Sequence, residues 1–373
     1  MKKNVLLIYG GESVEHDISI ITALQANQNL GEIYKVIPVY IGRNGVWQLA
    51  DNLSDAKVYG NFDRRAKNVR HATLVMGKPY LAIRKGKKYS KFIPVDFALL
   101  CTHGKFGEDG ALQGVLESCH IPYSSANYKS SALCMDKIFM KDIFISRCIP
   151  CVESVAVDLK EYKENAKKVL SEVEKLKFPV IIKPSCLGSS IGIKVCHNKE
   201  EFDDAVNFSF QFDRRVLVEK YIKNMTEFNC ACVHMNGEEK VSSVEEVKKE
   251  DEIFSFEEKY LNGGAKKSQK IDKNLAVKIK NLTEKIYKIF DLYGVVRVDY
   301  IFDNNKNKLY VNEINSIPGS LAFYLFKDLS FKDLLNILIE EGVERVKNEH
   351  FISAYDSEAL DVFEKINLTY KNK

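Results

Sequence analysis

The chain has 373 residues, 45% of them hydrophobic, enough for a large buried core spread over about two to three domains. Its 55 Lys and Arg nearly balance 51 Asp and Glu, leaving +4, too small and dispersed an excess to argue for a nucleic acid or a membrane surface as partner. The opening MKKNVLLIYGG has an apolar run too short for a signal or a membrane span, so a cytoplasmic protein is expected, its nine cysteines free thiols rather than a disulfide framework.

VLLIYG reads as a buried first strand. The GGESVEHDISI that overlaps its end, Gly10 to Ile20, places Glu12, Glu15 and His16 where paired glycines would otherwise suggest a phosphate loop. SIITALQANQNL has helical character, and YKVIPVY and DFALL read as further strands. This alternation predicts parallel βαβ units in a small doubly wound domain. Residues 45–94 are polar and lysine-rich with weak strands at ATLVMGK and YLAIRKG, as in an inserted hairpin or meander. THGKFGEDGALQGVLE, Thr102 to Glu117, follows a buried strand and enters a helix, the place where such sheets bind ligands. Its density of His, Gly, Glu and Asp favours a site over a polar turn.

SALCMDKIFMKDIFISRC predicts one helix with Lys137 and Lys141 a turn apart; taken alone, these read as solvated charges. A strand near CVESVAV, a charged helix EYKENAKKVLSEVEKLK and the strand FPVIIKP follow. The next loop, PSCLGSSIGI, lies between two strand-like runs, whereas a P-loop or dinucleotide fingerprint must open a helix. Gly188, Gly192, Ser189 and Ser190 instead predict a hairpin flap whose backbone N–H groups fold over phosphates, with Lys183 on the strand beneath. A serine- and glycine-rich turn without a ligand is the competing reading. Cys186 is the thiol expected to react if any does, while Cys148, Cys151, Cys230 and Cys232 lack zinc-spaced partners and read as small buried residues.

After RRVLVEKYI come strands at FNCACVHM and VRVDYIF, a helix from about Asn274 to Leu292, a strand at LYVNEIN, and an amphipathic helix from Phe331 to Val346. Arg297 and Asp299 are two apart and share a strand face, and Glu313 and Asn315 repeat the spacing on a partner strand. Buried charge must be paired or bound, and such oxygen donors suit magnesium. A solvated salt-bridge ladder is the alternative, disfavoured by the apolar neighbours of both strands.

In order, GGESVEHDIS, HGKFGEDGALQGVLE, MDKIFMK, FPVIIKPSCLGSSIGI, VLVEKYI, EEKYL, VRVDYIF and NEINSIPG resemble the D-alanine–D-alanine ligases of the ATP-grasp superfamily, from about residue 4 to 320. The resemblance implies an α/β ATP-grasp fold of three domains: a doubly wound substrate domain over 1–136, a central subdomain with the flap over 137–220, and a C-terminal subdomain over 221–373. It implies an enzyme that uses ATP and Mg²⁺, two ions or Mn²⁺ in their place, to join two D-alanines through an acyl phosphate for peptidoglycan synthesis. A homodimer binding only small molecules is expected.

The matching positions imply the roles. Asp299, Glu313 and Asn315 match the metal ligands, and Lys137, Lys183 and Lys259 the phosphate-side lysines. Gly188, Ser189 and Ser190 match the flap, Glu219 the adenine-reading strand, and Glu227 the ribose contact, with one extra residue in its spacing. Arg297 and the Gly319 N–H match the oxyanion groups; Glu15, Ser189 and Tyr260 match a hydrogen-bonded trio that closes the site, and His103 a substrate contact. His16 is expected to make a structural hydrogen bond. The chain departs from the family after NEINSIPG, where SLAFYLF replaces a stretch ending in a carboxylate-binding serine. Ser320 and Tyr324 are the candidate substitutes, which keeps D-serine or another small D-amino acid open as second substrate. A non-catalytic nucleotide-binding regulator would require a broken catalytic position, and Glu15, Lys183, Ser189, Arg297, Asp299, Glu313 and Asn315 are all present.

Overall fold

A computed structural model describes residues 2–247, 271–348, 357–360, 362–364 and 366. Strand β1 (Asn4–Gly10) is a continuous apolar run because both its faces are covered: Val5 to Tyr9 are all buried. It pairs in parallel with β2 (Lys35–Ile41), reached through helix α1 (His16–Leu30), and with β7 (Phe97–Leu100). The polar insertion is an antiparallel meander of β3 (Trp47–Leu49), β4 (Arg70–Leu74), β5 (Tyr80–Lys85) and β6 (Lys88–Pro94), as expected, with the short helix α2 (Phe62–Arg65) between β3 and β4. The sheet order β6-β5-β4-β3-β2-β1-β7 puts β1 between its two parallel neighbours. That is a topological switch point, and it opens a crevice at the carboxyl ends of β1 and β7.

Helix α3 (Ala111–Ser118) follows β7. The single helix expected over Ser130–Cys148 is two, α4 (Tyr128–Met135) and α5 (Lys137–Ser146). Asp136 separates them at φ −84° and ψ 104°, its carboxylate accepting from the N–H groups of Ile138 and Phe139. A short acidic side chain competes better at a helix start than inside a helix, so the apolar period continues while the backbone breaks.

The central sheet has the order β10-β9-β11-β8, all antiparallel, from β8 (Ser154–Asp158), β9 (Val180–Pro184), β10 (Lys194–Cys196) and β11 (Arg215–Lys220). Helices α6 (Leu159–Glu174) and α7 (Phe202–Ser209) cover it, through Val169, Val173, Phe202 and Val206. The third sheet joins β12 (Met225–Met235), β13 (Glu238–Val241), β14 (Glu245–Val247), β15 (Val295–Asp303) and β16 (Lys308–Asn315), with α8 (Lys273–Ile289) packed on it. Helix α9 (Phe331–Asn348) follows.

Packing does not follow chain order. Met140 and Phe144 of α5 belong to the core of the third sheet, although they follow residue 136. Leu334, Leu335, Leu338 and Ile339 of α9 share the core of the first sheet with β1 and β7. Close docking explains Gly342: a Cβ there would lie 2.6 Å from the Phe97 ring and 2.9 Å from the Tyr123 carbonyl oxygen. Among the described residues no helix is long and apolar enough to cross a membrane.

Candidate active site

Two loops enter the crevice above β1 and β7. Glu15 stands at the N-cap of α1, where the positive end of the helix favours a carboxylate, and it is 7% exposed. The Ser189 hydroxyl donates to Glu15 Oε1, tying the flap to the first sheet. Gly188 sits against the same carboxylate: a Cβ there would lie 2.8 Å from Glu15 Oε2 and would push that side chain aside. Ser189 and Ser190 hold φ of 54° and 58°, a costly conformation that such a contact helps to fix. Since β9 and β10 pair antiparallel on either side, the loop is the hairpin expected. His16 Nδ1 donates to the Gly11 carbonyl at 2.7 Å and Nε2 lies 3.1 Å from the Tyr40 hydroxyl. It tethers the glycine turn.

Beneath the flap, Glu219 on β11 is 3% exposed and pairs with two ammonium groups, that of Lys141 and that of Lys183 at 2.5 Å. Burial alone would raise the Glu219 pKa, but Lys141 and Lys183 outweigh it and bring the carboxyl down to about 2. Burial likewise pulls Lys183 down, and Glu219, with Glu313 and Glu227 beyond it, reverses the sign. Lys183 Nζ also donates to Asn312 Oδ1 at 3.1 Å. Lys141 is thus no solvated charge: it is 2% exposed and donates to the Val152 carbonyl at 2.8 Å. Lys137 donates to the Leu187 carbonyl in the flap at 2.8 Å and lies 3.5 Å from Glu313. Cys186 is exposed, but desolvation, then Asp136 and Asp213, push its pKa up to about 12, which argues against the reactive thiol expected.

The paired strands β15 and β16 display the expected charged face. Arg297 lies opposite Asn315, and Asp299 opposite Glu313. Two carboxylates directly across a ladder repel, and cations stand against both: the Arg297 guanidinium forks onto Asp299 at 2.6 and 2.8 Å, and Lys137 approaches Glu313. Asn315 Nδ2 donates to Asp299 Oδ2 at 3.1 Å, so any ligating role falls to its amide oxygen. Asn229, oriented with its nitrogen towards the carboxylate, donates to Asp299 Oδ1 at 3.0 Å. Among the described residues no group of three or more His, Cys, Asp or Glu is arranged to hold a metal. Two carboxylates and an amide leave about half of an octahedral shell to phosphate and water, which is how Mg²⁺ is usually held.

Gly319 opens the turn Gly319–Leu325, and Ser320, Leu321 and Ala322 follow at φ 50°, 50° and 48°. Tyr324 at its far end is exposed; its phenol pKa is raised, by desolvation first and against the pull of the Arg297 charge. Lys259 and Tyr260 lie outside the described residues.

Several residues here escaped the sequence reading. Glu108 lies 4.0 Å from His103 Nδ1, and burial, then Glu15, push its carboxyl well above the usual range. Lys141 could have been found from its helix, since Ile138 and Phe144, three residues to either side, are both buried and the apolar stripe runs through it. Asn229 and Asn312 gave no signal, because a lone amide in a strand has no characteristic spacing.

The D-Ala–D-Ala ligase N-terminal family model matches residues 4–126 and the C-terminal model residues 143–340. The chain is 37% identical to a D-alanine–D-alanine ligase of Thermosipho melanesiensis over 94% of its length and 96% of that protein, and 31% identical to that of Staphylococcus carnosus over 94% and 99%. Its structure is similar to the D-alanine–D-alanine ligase of Coxiella burnetii, with a TM-score of 0.77 and 26% identity over 99% of both chains. It is also similar to the VanG D-Ala:D-Ser ligase of Enterococcus faecalis, with a TM-score of 0.79 and 28% identity over 92% of this chain and 100% of that one. The matches span nearly the whole chain and take in the flap, the paired carboxylate strands and the Glu15 loop: this protein belongs to the D-alanine–D-alanine ligase family.

Proposed function

We propose that the protein ligates two D-alanines into D-alanyl-D-alanine with release of ADP and phosphate, in the cytoplasm, as a homodimer, to supply a peptidoglycan precursor. The observation that carries this is the Ser189–Glu15 hydrogen bond, which unites the flap with an acid loop above the first sheet. An amino-acid end and a phosphate end thereby become one site. ATP converts the carboxylate of the first D-alanine into an acyl phosphate, and the amine of the second attacks it.

Glu15 offers its carboxylate to the ammonium of the first D-alanine. Lys137 and Lys183 face the phosphates, with Lys259 a further lysine for them; Gly188, Ser189 and Ser190 cover them and exclude water that would hydrolyse the acyl phosphate. Glu219 holds Lys183 in place beside the adenine-reading strand, and Glu227 takes the ribose. Arg297 and the Gly319 N–H stabilise the oxyanion of the tetrahedral intermediate, which requires that they be set before the charge develops. Asp299, Glu313 and Asn315 would hold Mg²⁺, which when bound neutralises charge on the transferring phosphoryl group. His103 lines the substrate end, and Tyr260 completes the trio with Glu15 and Ser189.

For the carboxylate of the second substrate Ser320 and Tyr324 are the candidates: Tyr324 feels the Arg297 charge, and the Ser320 N–H is held by Thr22 of α1. A second reading, a D-alanine–D-serine ligase, draws on the likeness to VanG. Offering D-alanine, D-serine and D-lactate together with MgATP and reading the products by mass spectrometry separates the two. D-Alanyl-D-alanine is expected to exceed the D-serine product by at least about tenfold, within the range one small group can discriminate. A dominant D-serine or D-lactate product would contradict the proposal.

A further inference from the structure

The turn after Pro318 poses a problem that the catalytic residues do not solve. Ser320, Leu321 and Ala322 are three successive L-residues in the left-handed region, where one alone is unfavourable and a run is rare. Such backbone persists only when its surroundings over-determine it. Leu321 and Ala322 supply part of the restraint, being 2% and 0% exposed within the first core. The rest is polar. The Ser320 N–H donates to Thr22 Oγ1 at 3.0 Å, Thr22 Oγ1 lies 3.2 Å from His103 Nε2, and His103 Nδ1 lies 2.8 Å from the Ile317 carbonyl.

The Ile317 carbonyl fixes one end of this chain, and Glu108 lies 4.0 Å from the same ring nitrogen. A carbonyl only accepts, so Nδ1 carries the proton and donates to Ile317. Burial lowers the imidazole pKa, although Glu15 pulls the other way, and so favours the neutral ring. Nε2 is then a lone pair, so the Thr22 O–H donates to it, and the Thr22 oxygen is left to accept from Ser320. The Thr22 hydroxyl thus joins the two halves, and both ends of the chain, Ile317 and Ser320, belong to the segment that carries Gly319. Thr22 itself is fully buried in the second turn of α1, about two turns on from Glu15.

We propose that Thr22 is a positioning residue: its hydroxyl, through His103, locks the left-handed turn so that the Gly319 N–H and Tyr324 are set for the second substrate. This rests on the ligase reading above. It also couples α1, which begins at the first-substrate acid, to the segment serving the second.

Thr22→Val keeps the shape and removes the hydroxyl, leaving the Ser320 N–H and His103 Nε2 without their partner. In steady-state assays the KM for the second D-alanine is expected to rise about tenfold or kcat to fall about tenfold, with the KM for ATP within twofold of wild type; Thr22→Ser is expected to restore both. Wild-type rates in Thr22→Val, or a Thr22→Ser variant no better than it, would overturn the proposal, as would an equal loss of ATP affinity. Should Thr22→Val fail to fold, ¹⁵N NMR of the wild type decides: His103 is expected as the Nδ1–H tautomer, and an Nε2–H tautomer removes the relay. That spectrum reads the relay even in a protein that ligates nothing, whereas an inactive wild type with the expected tautomer would defeat the ligase reading alone.

Discussion

Replacing Glu219 by Gln is expected to destabilise the protein by about 3 kcal/mol, the cost of leaving buried charges without their counter-ion. Two ammonium groups converge on this carboxylate inside the protein, so its loss strands both. The same figure follows from titration: a shift from 4.5 to about 2 corresponds to about 3 kcal/mol at roughly 1.4 kcal/mol per unit. The folded pKa is depressed, so the stabilisation is present above the unfolded value of 4.5 and is lost as pH falls through about 2. Urea unfolding of the wild type and of Glu219→Gln should therefore differ fully at neutral pH and converge between about pH 4.5 and 2. A neutral substitution at pH 7 would mean that Lys141 and Lys183 do not depend on Glu219.

The largest effect on activity is expected from Glu15→Gln. The amide keeps the size and can still meet the Ser189 hydroxyl, but it carries no charge for an ammonium group. ATP affinity should stay within twofold, because the phosphate-side lysines are untouched, while kcat falls by at least about 10², the usual scale for a preorganised polar group. Titration calorimetry with a non-hydrolysable ATP analogue, beside turnover at saturating D-alanine, separates the two effects. Unchanged turnover would remove Glu15 from the site.

Much of this was legible in the sequence where local pattern dictates structure. β1 and β7 are continuous apolar runs because they are buried on both faces, and Arg297, Asp299, Glu313 and Asn315 shared a face because strand period fixes it. The flap was legible as a hairpin because strand-like runs flank it. What stayed hidden depends on contacts distant in sequence. That α9 docks on the first sheet leaves no local trace, since an amphipathic helix shows which face is buried but not against what. The partner of Lys141, Glu219, is 78 residues away, although the apolar stripe of α5 already marked the lysine as buried, and Cys186 read as reactive because the sequence does not show Asp136 and Asp213 beside it. The break at Asp136 is the exception: its capping side chain was local, and the apolar period around it masked it.

The most direct test of the ligase assignment is the stoichiometry of phosphate and dipeptide. Purified protein with Mg²⁺, ATP and D-alanine is expected to release one phosphate for each D-alanyl-D-alanine formed, and none above background when D-alanine is omitted. Phosphate release that does not depend on D-alanine, or that yields no dipeptide, would contradict it.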